Sequence, residues 1–329
     1  VIVVDNGSTD GSVGFLRSHY PGVKVVALTE NQGFAEGCNL GAQRSENEVI
    51  IFLNNDMVVE EDFIRPLLDG FTSDDVFAVS AQIYFWDKSE RREETGKTRG
   101  SLRWGMLQVW HEAVVEEELS PVFCAGGGSS AFAKDKFLAL GGFDRLFWPF
   151  YFEDTDLSFR AWRKGWRITL APGSIAHHKH RGTISRLYSQ KAIRRAMERN
   201  HLLFMWLNLT IPSLLWHFPC LWGRLLLHYL RRDIFYLGSF FNALRWLGRV
   251  LTRRATDGSF LLSDREVLAL SSDLPRHRRK FQAKRPLDGQ RRKRILFICP
   301  YIPCLGVHAG GEECMPSSNC WQRGTISPW

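Results

Sequence analysis

The stretch VIVVDNGSTDGS, residues 1–12, decides the fold class of this chain. Val1 to Val4 form a continuous apolar, β-branched run, which is typical of a strand buried on both faces. Asp5-Asn6-Gly7-Ser8 then breaks the run into a turn, and a helix is expected from about Thr9. A strand that leads directly into a helix is the repeating unit of a parallel α/β sheet.

The same alternation continues along the chain. The pattern predicts strands at 23–28, 48–53 and 76–85, separated by helices at 33–43 and 60–71. Open sheets of this kind bind ligands at the carboxyl ends of their strands. The loops that follow the strands are therefore the first places to look for functional side chains.

Polar side chains stand at two of these strand ends. Asp5 follows the first strand, and Asn54-Asn55-Asp56 follows the third. A lone Asp at such a position equally suits a helix cap or an Asx turn. A carboxylate in a loop at the ligand-binding edge also suits a hard divalent cation, which commonly uses one or two protein carboxylates plus phosphate oxygens of a substrate. Asp56 is therefore the candidate metal ligand.

Composition and charge exclude several classes of protein. The chain has 329 residues, 44% of them hydrophobic, which is enough to bury a large core and excludes a disordered protein. The net charge of +8 is uneven: residues 1–183 carry 19 Lys/Arg and 26 Asp/Glu, and residues 184–329 carry 24 and 9. Two parts with opposite electrostatic partners are indicated. The seven cysteines show no C-x-x-C spacing, which argues against a zinc ribbon or a disulfide framework and favours a reducing, cytosolic setting.

Three carboxylates, Glu153, Asp154 and Asp156, directly follow an apolar and aromatic run in LFWPFYFEDTDL, residues 146–157. One explanation is local. The acids begin the helix DLSFRAWRKGW, where negative charge suits the helix dipole and Asp156 pairs with Arg160 at i, i+4. The other explanation is chemical, and it depends on the motifs found elsewhere in the chain.

Six motifs occur in the order, and at roughly the spacing, seen in glycosyltransferase family 2. They are VVDNGSTDGS, NQGFAEGCNLG, FLNNDM, GGGSSAFAKDKFLALGGFD, FYFEDTDLSFRAWRKGW and IAHHKHRGT. Over about residues 1–183 the chain resembles the bacterial rhamnosyltransferase-like members of that family. The resemblance implies a GT-A fold: a Rossmann-like sheet with a parallel core, flanked by helices, lacking the family's first strand and followed by an amphipathic helical tail.

The resemblance also implies a donor site. Asp5 and Asn6 would hold the nucleotide base and ribose, with the turn formed by Asn31 and Gly33 close by. The D-x-D-type motif of the family is written here as Asn54-Asn55-Asp56. Asn55 would contact the donor, and Asp56 would contact the Mg²⁺ or Mn²⁺ ion that bridges the donor diphosphate.

By the same resemblance, Asp154 is the catalytic base. A sugar hydroxyl is a poor nucleophile, and a carboxylate within hydrogen-bond reach is an adequate proton acceptor when the transition state has oxocarbenium character. Glu153 and Asp156 would position the loop or hold the acceptor, although the helix-start explanation suits Asp156 better. Trp148 would offer a flat apolar surface to a sugar ring.

Two further motifs complete the expected site. The Gly run 126–132 allows the backbone to approach a ligand closely, and by resemblance Gly127 and Gly128 lie beside the donor sugar and the acceptor. In the basic cluster at 177–181 the resemblance adds His178 to the metal shell, while its cationic neighbours would neutralise the leaving diphosphate. A solvated basic turn is the alternative for this cluster.

These roles imply an inverting glycosyltransferase that uses a nucleotide-sugar donor and a saccharide or lipid-linked acceptor in surface polysaccharide synthesis, with dTDP-rhamnose as the donor suggested by similarity. Two other interpretations are open. An inactive or scaffold fragment that binds nucleotide without turnover is favoured by Asn54-Asn55 and by the missing first strand. A sugar nucleotidyltransferase would share the sheet, but it should begin with a Gly-rich, Lys/Arg-containing phosphate loop, and the sequence shows none.

The second half of the chain suggests a membrane surface. Residues 200–223 contain no Asp, Glu, Lys or Arg and are flanked by arginines. That length can span a bilayer, but Pro212 and Pro219 favour helices that lie in the interface. We expect a peripheral location at the inner face of the plasma membrane; packing on the catalytic core or on a second copy is the alternative. The basic blocks 276–280 and 291–294 fit anionic lipid or a linker, and no nucleic-acid partner is expected.

Three segments result from this division of the chain. Residues 1–183 are expected to be the catalytic domain, truncated at its N-terminus. Residues 184–290 are expected to be the basic, Trp-rich, membrane-associated helical region. RILFICPYIPCLG near the end reads as a buried strand and turn, and it resembles the start of a GT-B glycosyltransferase domain. Residues 291–329 are therefore expected to be the truncated start of a second domain.

Overall fold

The computed structural model describes residues 1–86, 96–114, 117–178, 188–256 and 261–272, together with the backbone of 295–299. The strands are β1 Ile2–Asp5, β2 Lys24–Ala27, β3 Val49–Phe52, β4 Met57–Val59, β5 Val76–Phe85, β6 Thr98–Arg103, β7 Met106–His111, β8 Ser120–Pro121, β9 Ser130–Ala133, β10 Arg167–His178 and β11 Ile295–Cys299. The helices are α1 Ser12–His19, α2 Phe34–Arg44, α3 Ile64–Asp69, α4 Lys134–Ala139, α5 Glu153–Arg163, α6 Gln190–Asn208, α7 Ile211–Leu230, α8 Ile234–Leu244, α9 Leu247–Thr256 and α10 Asp264–Leu270.

Most strands belong to one mixed sheet in the order β2-β1-β11-β3-β9-β5-β10-β4, with β8 paired to β10. β2, β1, β11 and β3 are parallel, and β10 is parallel to β5. β9 lies antiparallel between β3 and β5, and β6 and β7 form a separate hairpin. The predicted fold class, a GT-A type α/β sheet with a parallel core flanked by helices, is confirmed.

The strand β11 lies between β1 and β3, with Ile298 opposite Ile2 and Phe297 opposite Ile51. This placement differs from the expected domain division, because 295–299 was assigned to a second domain over 291–329. It also fills the sheet position beside β1 where a strand was expected to be missing. A continuous apolar run such as ILFIC suits any position between two parallel strands. Its pattern therefore does not specify which sheet it joins. Residues 276–294 and 300–329 lie outside the described residues.

Both faces of the sheet are buried, as the strand β3 illustrates. Ile50 and Phe52 point into one core cluster, and Val49 and Ile51 point into the other, as the two-residue period of a strand requires. The larger cluster contains four phenylalanine rings whose centroids lie 5.2 to 6.2 Å apart: Phe52, Phe132, Phe137 and Phe143. This close aromatic packing stabilises the part of the sheet whose strand ends carry the polar residues.

The helical region beyond residue 188 begins as part of the same core. Leu202, Leu203, Phe204 and Met205 of α6 are buried in one cluster with side chains of the sheet, so α6 follows the alternative of packing on the catalytic core. The uncharged stretch 200–223 is divided between α6 and α7. Among the helices of the described residues, none is both long and apolar enough to cross a bilayer.

Most predicted elements lie close to their expected bounds, and the helix expected from about Thr9 begins at Ser12. Two differences are larger. The helix expected over 60–71 is shorter, because Phe63 N–H bonds to the Glu60 carbonyl in a turn and the helix begins only at Ile64. The hairpin of β6 and β7 was not predicted. Its strands mix exposed and buried positions irregularly, so they lack the strict alternation that marks a strand in a sequence.

Candidate active site

The predicted site residues converge on one edge of the sheet. β1, β3, β5 and β10 are mutually parallel in direction, so their carboxyl ends lie at the same edge. β9 is antiparallel, so its amino end, preceded by the Gly run 126–128, lies at that edge too. The topology therefore brings together loops that are far apart in the sequence, at the strand ends where open α/β sheets bind their ligands.

The end of β1 is tied to the loop before α2. Asn6 donates from its amide to the Gly33 carbonyl (3.0 Å) and accepts from the Gln32 N–H (2.8 Å), while Asn31 accepts from the Gly33 N–H (2.8 Å). Asn6 and Asn31 therefore shape this loop. Asp5 accepts one bond from the Ser8 N–H (3.1 Å), and its Oδ1 is buried without a hydrogen-bond partner among the described residues.

Gly33 lets the loop approach the aromatic segment that precedes α5. Its φ is +84°, and a Cβ there would stand 2.8 Å from Cδ1 of Trp148. Both facts require glycine, since an L side chain would be strained and would also collide with the indole. Trp148 itself is 53% exposed, so its ring is available at the rim between the β1 and α5 loops.

Gly128 provides a second close approach, between the Gly run and the loop after β3. The Asn54 N–H bonds to the Gly128 carbonyl (2.9 Å), and a Cβ on Gly128 would lie 2.5 Å from the Asn54 amide nitrogen. Asn54 thus fixes the Gly run against β3, while Asn55 is half-buried in the following turn. The loop that carries Asp56 and the loop beside Asp154 are connected through this contact.

Asp56 and His178 meet at the far side of the edge. β4 pairs antiparallel with the end of β10, with Met57 opposite His178, and the Asp56 Oδ1 lies 3.4 Å from the His178 Nε2. That oxygen is buried and accepts no hydrogen bond from the described residues. An oxygen and a nitrogen donor at this separation suit a divalent cation that takes its remaining ligands from phosphate and water. Among the described residues no group of three or more His, Cys, Asp or Glu side chains forms a complete metal cage. Lys179, His180 and Arg181 lie outside the described residues.

Glu153 and Asp154 form the first turn of α5. The chain enters this helix through two residues with left-handed backbone, Tyr151 (φ 71°) and Phe152 (φ 77°). Asp154 accepts from the Thr155 N–H (2.6 Å) and its hydroxyl (3.3 Å), and the backbone of Gly127 also bonds to it. The base candidate is therefore held against the Gly run.

Glu153 and Asp154 perturb each other's ionisation. Burial, and then the charge of Asp154, raise the pKa of Glu153 to about 8. Burial also raises the pKa of Asp154, but hydrogen bonds from Thr155 and Gly127 stabilise its ionised form. The Glu153 Oε2 has no hydrogen-bond partner among the described residues. Glu153, whose pKa is about 8, therefore carries a proton at neutral pH, while the hydrogen bonds to Asp154 favour the carboxylate form of that residue.

Asp156 has no access to an acceptor. It is fully buried and bonds Arg160 (2.8 Å), Arg253 (3.1 Å) and the Asn208 amide (2.8 Å). Burial opposes the ionised form, but these two arginines and Asn208 lower the pKa of Asp156 overall. The role of Asp156 in positioning the loop or holding the acceptor stays a prediction, and its burial is compatible only with positioning. The local explanation, a pair with Arg160 in the helix, describes it correctly, and Arg253 extends that pair to α9.

Asn200 is a site residue that the sequence analysis missed. Its amide nitrogen lies 2.7, 2.9 and 3.0 Å from the carbonyls of Phe147, Phe150 and Tyr151, and the adjacent Arg199 bonds the Trp148 carbonyl. Through these hydrogen bonds α6 holds the loop that leads into Glu153 and Asp154. The sequence did contain a signal. Asn200 and Asn208 are eight residues apart in the part of α6 that has no charged residue, among apolar side chains, where a buried amide needs a specific partner.

A cavity of about 760 Å³ opens beside the carboxylates, between the β6–β7 hairpin and α6. Its walls are mainly apolar and aromatic, with Leu107, Trp110 and Phe152 among them, and Thr155 connects it to Asp154. His201 also lines it. This side chain stacks on Phe152 (5.0 Å between centroids), and its Nε2 is buried without a partner among the described residues. Burial lowers the pKa of His201 to about 4, so the imidazole is neutral.

The comparisons with known proteins bear on the first half of the chain. Residues 1–138 match the family model Glycosyl transferase family 2, and residues 120–182 match the model N-terminal domain of galactosyltransferase. The resemblance predicted from the six motifs is confirmed. The rhamnosyltransferase-like subgroup stays a prediction.

Relatives and solved structures cover part of the chain. Polypeptide N-acetylgalactosaminyltransferase 6 of Mus musculus is 28% identical over 202 residues, 55% of this chain and 32% of that protein. N-acetylgalactosaminyltransferase 7 of Drosophila melanogaster is 30% identical over 175 residues, 49% of this chain and 29% of that protein. The match thus spans about a third of the length of these relatives. A solved structure of GalNAc-T7 with UDP, GalNAc and Mn²⁺ has a TM-score of 0.49 at 18% identity, over 63% of this chain and 41% of that chain.

Proposed function

We propose that this chain, whose residues 1–138 match the model of glycosyl transferase family 2, moves a sugar from a nucleotide-sugar donor to a hydroxyl of a saccharide or lipid-linked acceptor, with inversion at the anomeric carbon. One observation carries the proposal. The edge of the sheet presents the Asp154 carboxyl group, held by Thr155 and the Gly127 backbone next to the Gly run, and a second, unsatisfied carboxylate oxygen on Asp56 beside His178. A base and a cation ligand on one edge are what this reaction needs.

The donor would lie between the β1 and β3 loops. The unpartnered Asp5 Oδ1 and the loop fixed by Asn6, Asn31 and Gly33 offer acceptors and backbone groups to the base and ribose. Asn55 would contact the donor from the turn after β3. Asp56 and His178 would hold a divalent cation, Mg²⁺ or Mn²⁺, which when bound neutralises charge on the diphosphate.

The chemical step is a single displacement. The Asp154 carboxylate accepts the proton of the acceptor hydroxyl, whose oxygen forms a bond to the anomeric carbon while the bond from that carbon to the diphosphate oxygen breaks. Asp154 suits this role because Thr155 and the Gly127 backbone donate hydrogen bonds that stabilise its carboxylate form, while the pKa of the neighbouring Glu153 is raised to about 8. Gly127 and Gly128 would let the backbone approach the reacting sugar without a side chain in the way.

The acceptor would occupy the cavity beside Thr155. Its aromatic walls suit the flat faces of sugar rings or an apolar group attached to the acceptor. The unpartnered Nε2 of His201 offers a hydrogen bond to an acceptor hydroxyl. Trp148 at the rim would cover the donor sugar.

Two sugars are candidates for the group that is transferred. The names of the relatives favour an N-acetylhexosamine, and the motif resemblance favours rhamnose. We propose that the product belongs to a surface polysaccharide, because the acceptor cavity and the helices beyond it both suit a lipid-linked saccharide.

Calorimetric titration of UDP, dTDP and GDP, each with and without Mn²⁺, tests the donor site. We expect one nucleotide to bind in a metal-dependent manner, with binding lost in Asp56→Ala and unchanged in Asp135→Ala, whose carboxylate is 79% exposed on α4. Turnover with the matching nucleotide sugars should then fall by about 10²- to 10⁴-fold in Asp154→Asn, while nucleotide affinity is kept. Binding without turnover of any donor would contradict the proposal and favour a scaffold.

A further inference from the structure

The outward side of α7 is apolar along its whole length. Only His217, Leu221 and Leu225 of this helix are buried, at a spacing of four, so a single stripe packs on the protein. The remaining surface exposes large apolar side chains, each 43% to 71% accessible: Ile211, Leu215, Trp216, Phe218, Trp222 and Leu226. A surface helix of a soluble domain normally carries polar residues there.

The apolar surface continues onto the next two helices. α7 packs against α8, and Ile234, Phe241 and Leu251 of α8 and α9 are 74%, 62% and 59% exposed. We call the exposed apolar side chains of α7, α8 and α9 the docking face. Single exposed apolar residues are ordinary, whereas a patch that extends over three helices marks a surface that meets another apolar phase.

The charges around the docking face are almost all positive. Asp233 is the only acidic residue between 200 and 256, and it already pairs with Arg194 (3.3 Å) and His228 (3.1 Å). Exposed arginines stand on the same helices and their connections: Arg231, Arg232, Arg245 and Arg249. The partner of this face must therefore supply both apolar contact and negative charge.

A second copy of the chain meets that requirement poorly. A two-fold dimer through this face would bring the same arginines against one another, because an isologous interface pairs each patch with itself. An anionic bilayer supplies both the apolar contact and the negative charge, because its acyl chains form the interior and its phosphate groups lie at the surface. Trp216, Trp222 and Tyr229 on α7 are the residue types that favour the boundary between the two.

We propose that the docking face lies in the headgroup region of an anionic phospholipid bilayer, with α7 in the plane of the surface, and holds the enzyme there as a peripheral protein. The cleft between the hairpin tip and α7 would bind the phosphate headgroup of a lipid, since aromatic and basic side chains line it: Trp104, Arg224, His228 and Arg231. This surface is separate from the sheet edge, so the proposal does not rest on the transferase reaction.

Co-sedimentation of the full chain with vesicles tests the proposal. We expect binding to phosphatidylcholine vesicles that contain phosphatidylglycerol, and little binding to phosphatidylcholine alone. Leu215→Ser/Trp222→Ser/Leu226→Ser should abolish binding, and Arg245→Gln/Arg249→Gln should lower the partition coefficient by roughly 30-fold, since each basic residue at the surface contributes about fivefold. Leu138→Ser, a 40% exposed leucine on α4, is the matched control and should bind like the original chain.

Three outcomes would overturn the proposal. They are absence of binding to either vesicle, equal binding to neutral and anionic vesicles, and a dimer in sedimentation equilibrium that the apolar triple variant converts to a monomer. Nucleotide titration of the same variants separates this result from the proposed function, because variants of the docking face should keep their nucleotide affinity. The two arginine changes lie on exposed positions, so they test the proposal even where the apolar variant fails to fold.

Discussion

At the scale of single residues, the pair Glu153 and Asp154 links the electrostatics of the site to pH. Burial, and then the charge of Asp154, raise the pKa of Glu153 to about 8. Above about pH 8 Glu153 loses its proton, and a negative charge appears next to Asp154 at the sheet edge where the negatively charged donor would bind. We predict that KM for the donor rises above about pH 8 and that Glu153→Gln, which cannot ionise, removes the rise.

The same shift predicts a change in stability. The pKa of Glu153 is raised on folding, so its favourable contribution is complete below the pKa of an unfolded carboxyl and is lost as the pH rises through about 8. Glu153→Gln should therefore unfold at a higher temperature than the original chain at pH 9, and the difference should shrink towards pH 5. A constant difference across this range, measured by thermal unfolding, would show that burial does not perturb Glu153.

Asn200 is predicted to act as a positioning residue. Asn200→Ala removes the amide that binds the carbonyls of Phe147, Phe150 and Tyr151, and it loosens the loop that carries Asp154. We expect kcat to fall by up to about 100-fold, because a displacement of about 1 Å at a reacting group has that effect. Steady-state kinetics should show this loss while nucleotide affinity is unchanged.

Asn208→Ala is the matched control for that prediction. It removes a buried amide from the same helix, but its partner is Asp156 (2.8 Å) in the interior. We expect a similar loss of stability in both variants, about 1–3 kcal/mol for the groups left unsatisfied, with the large loss of kcat confined to Asn200→Ala. Equal kinetic effects would mean that α6 acts on the site only through general stability.

At the scale of secondary-structure elements, a buried ion pair joins α5 to α10. Arg163 and Asp264 bond each other with side chains 1% and 2% exposed, and Asp264 also accepts from the N–H (3.0 Å) and hydroxyl (2.6 Å) of Thr210 at the start of α7. Asp264→Ala leaves the Arg163 charge buried and unpaired. We predict a loss of about 3–5 kcal/mol in the free energy of unfolding, measured with urea.

The exposed pair on α3 provides the comparison. Arg65 and Asp69 are 3.8 Å apart with side chains 86% and 74% exposed, so water screens their attraction. Asp69→Ala should cost less than about 1 kcal/mol. A cost for Asp264→Ala as small as that of Asp69→Ala would contradict the importance of the buried pair.

The elements themselves were largely predictable from the sequence, and the partners of polar side chains were not. β1, β3 and β5 are short apolar runs bounded by turns, so their pattern alone identifies them. Asp156 shows how far the partners of a polar side chain can be predicted from the sequence. Its pair with Arg160 is four residues away and visible in the sequence, whereas Arg253 reaches it from 97 residues away. Asn200 was missed for a related reason, because its partners are backbone carbonyls, which look alike at every position of a sequence.

At the scale of the whole molecule, the position of β11 could not be predicted because pairing depends on which sheet edge is open. The strand lies in the middle of the sheet, with neighbours on both sides. We predict that Phe297→Pro, which removes one backbone N–H from this central strand, destabilises the fold by about 3 kcal/mol or more. Amide hydrogen exchange should speed up in β1 and β3, which flank it.

Phe297→Ile keeps the backbone N–H and serves as the control. Faster exchange in β1 and β3 in the proline variant alone would confirm that main-chain pairing of β11 holds the two parts of the sheet together. Unchanged exchange in both variants would show that β1 and β3 are stable without the strand between them.

The hairpin of β6 and β7 connects the two surfaces of the molecule. Its tip lies so close to α7 that a Cβ on Gly105 would stand 2.8 Å from Cβ of Cys220. Its strands also form a wall of the cavity beside Thr155. If the docking face rests on a bilayer, an acceptor carried on a lipid can reach the cavity along the hairpin without leaving the surface.

The central place of β11 also fixes when the protein can finish folding. Ile2 pairs with Ile298, so nearly three hundred residues must be synthesised before β1, which pairs with β2 on one side, gains its second neighbour. At about 5–20 residues per second this takes on the order of 15–60 s. During that time β1 and β3 each present an open apolar edge to the cell. The nascent chain should therefore be a long-lived client of chaperones, and its folding rate should be limited by the closure of its longest loop.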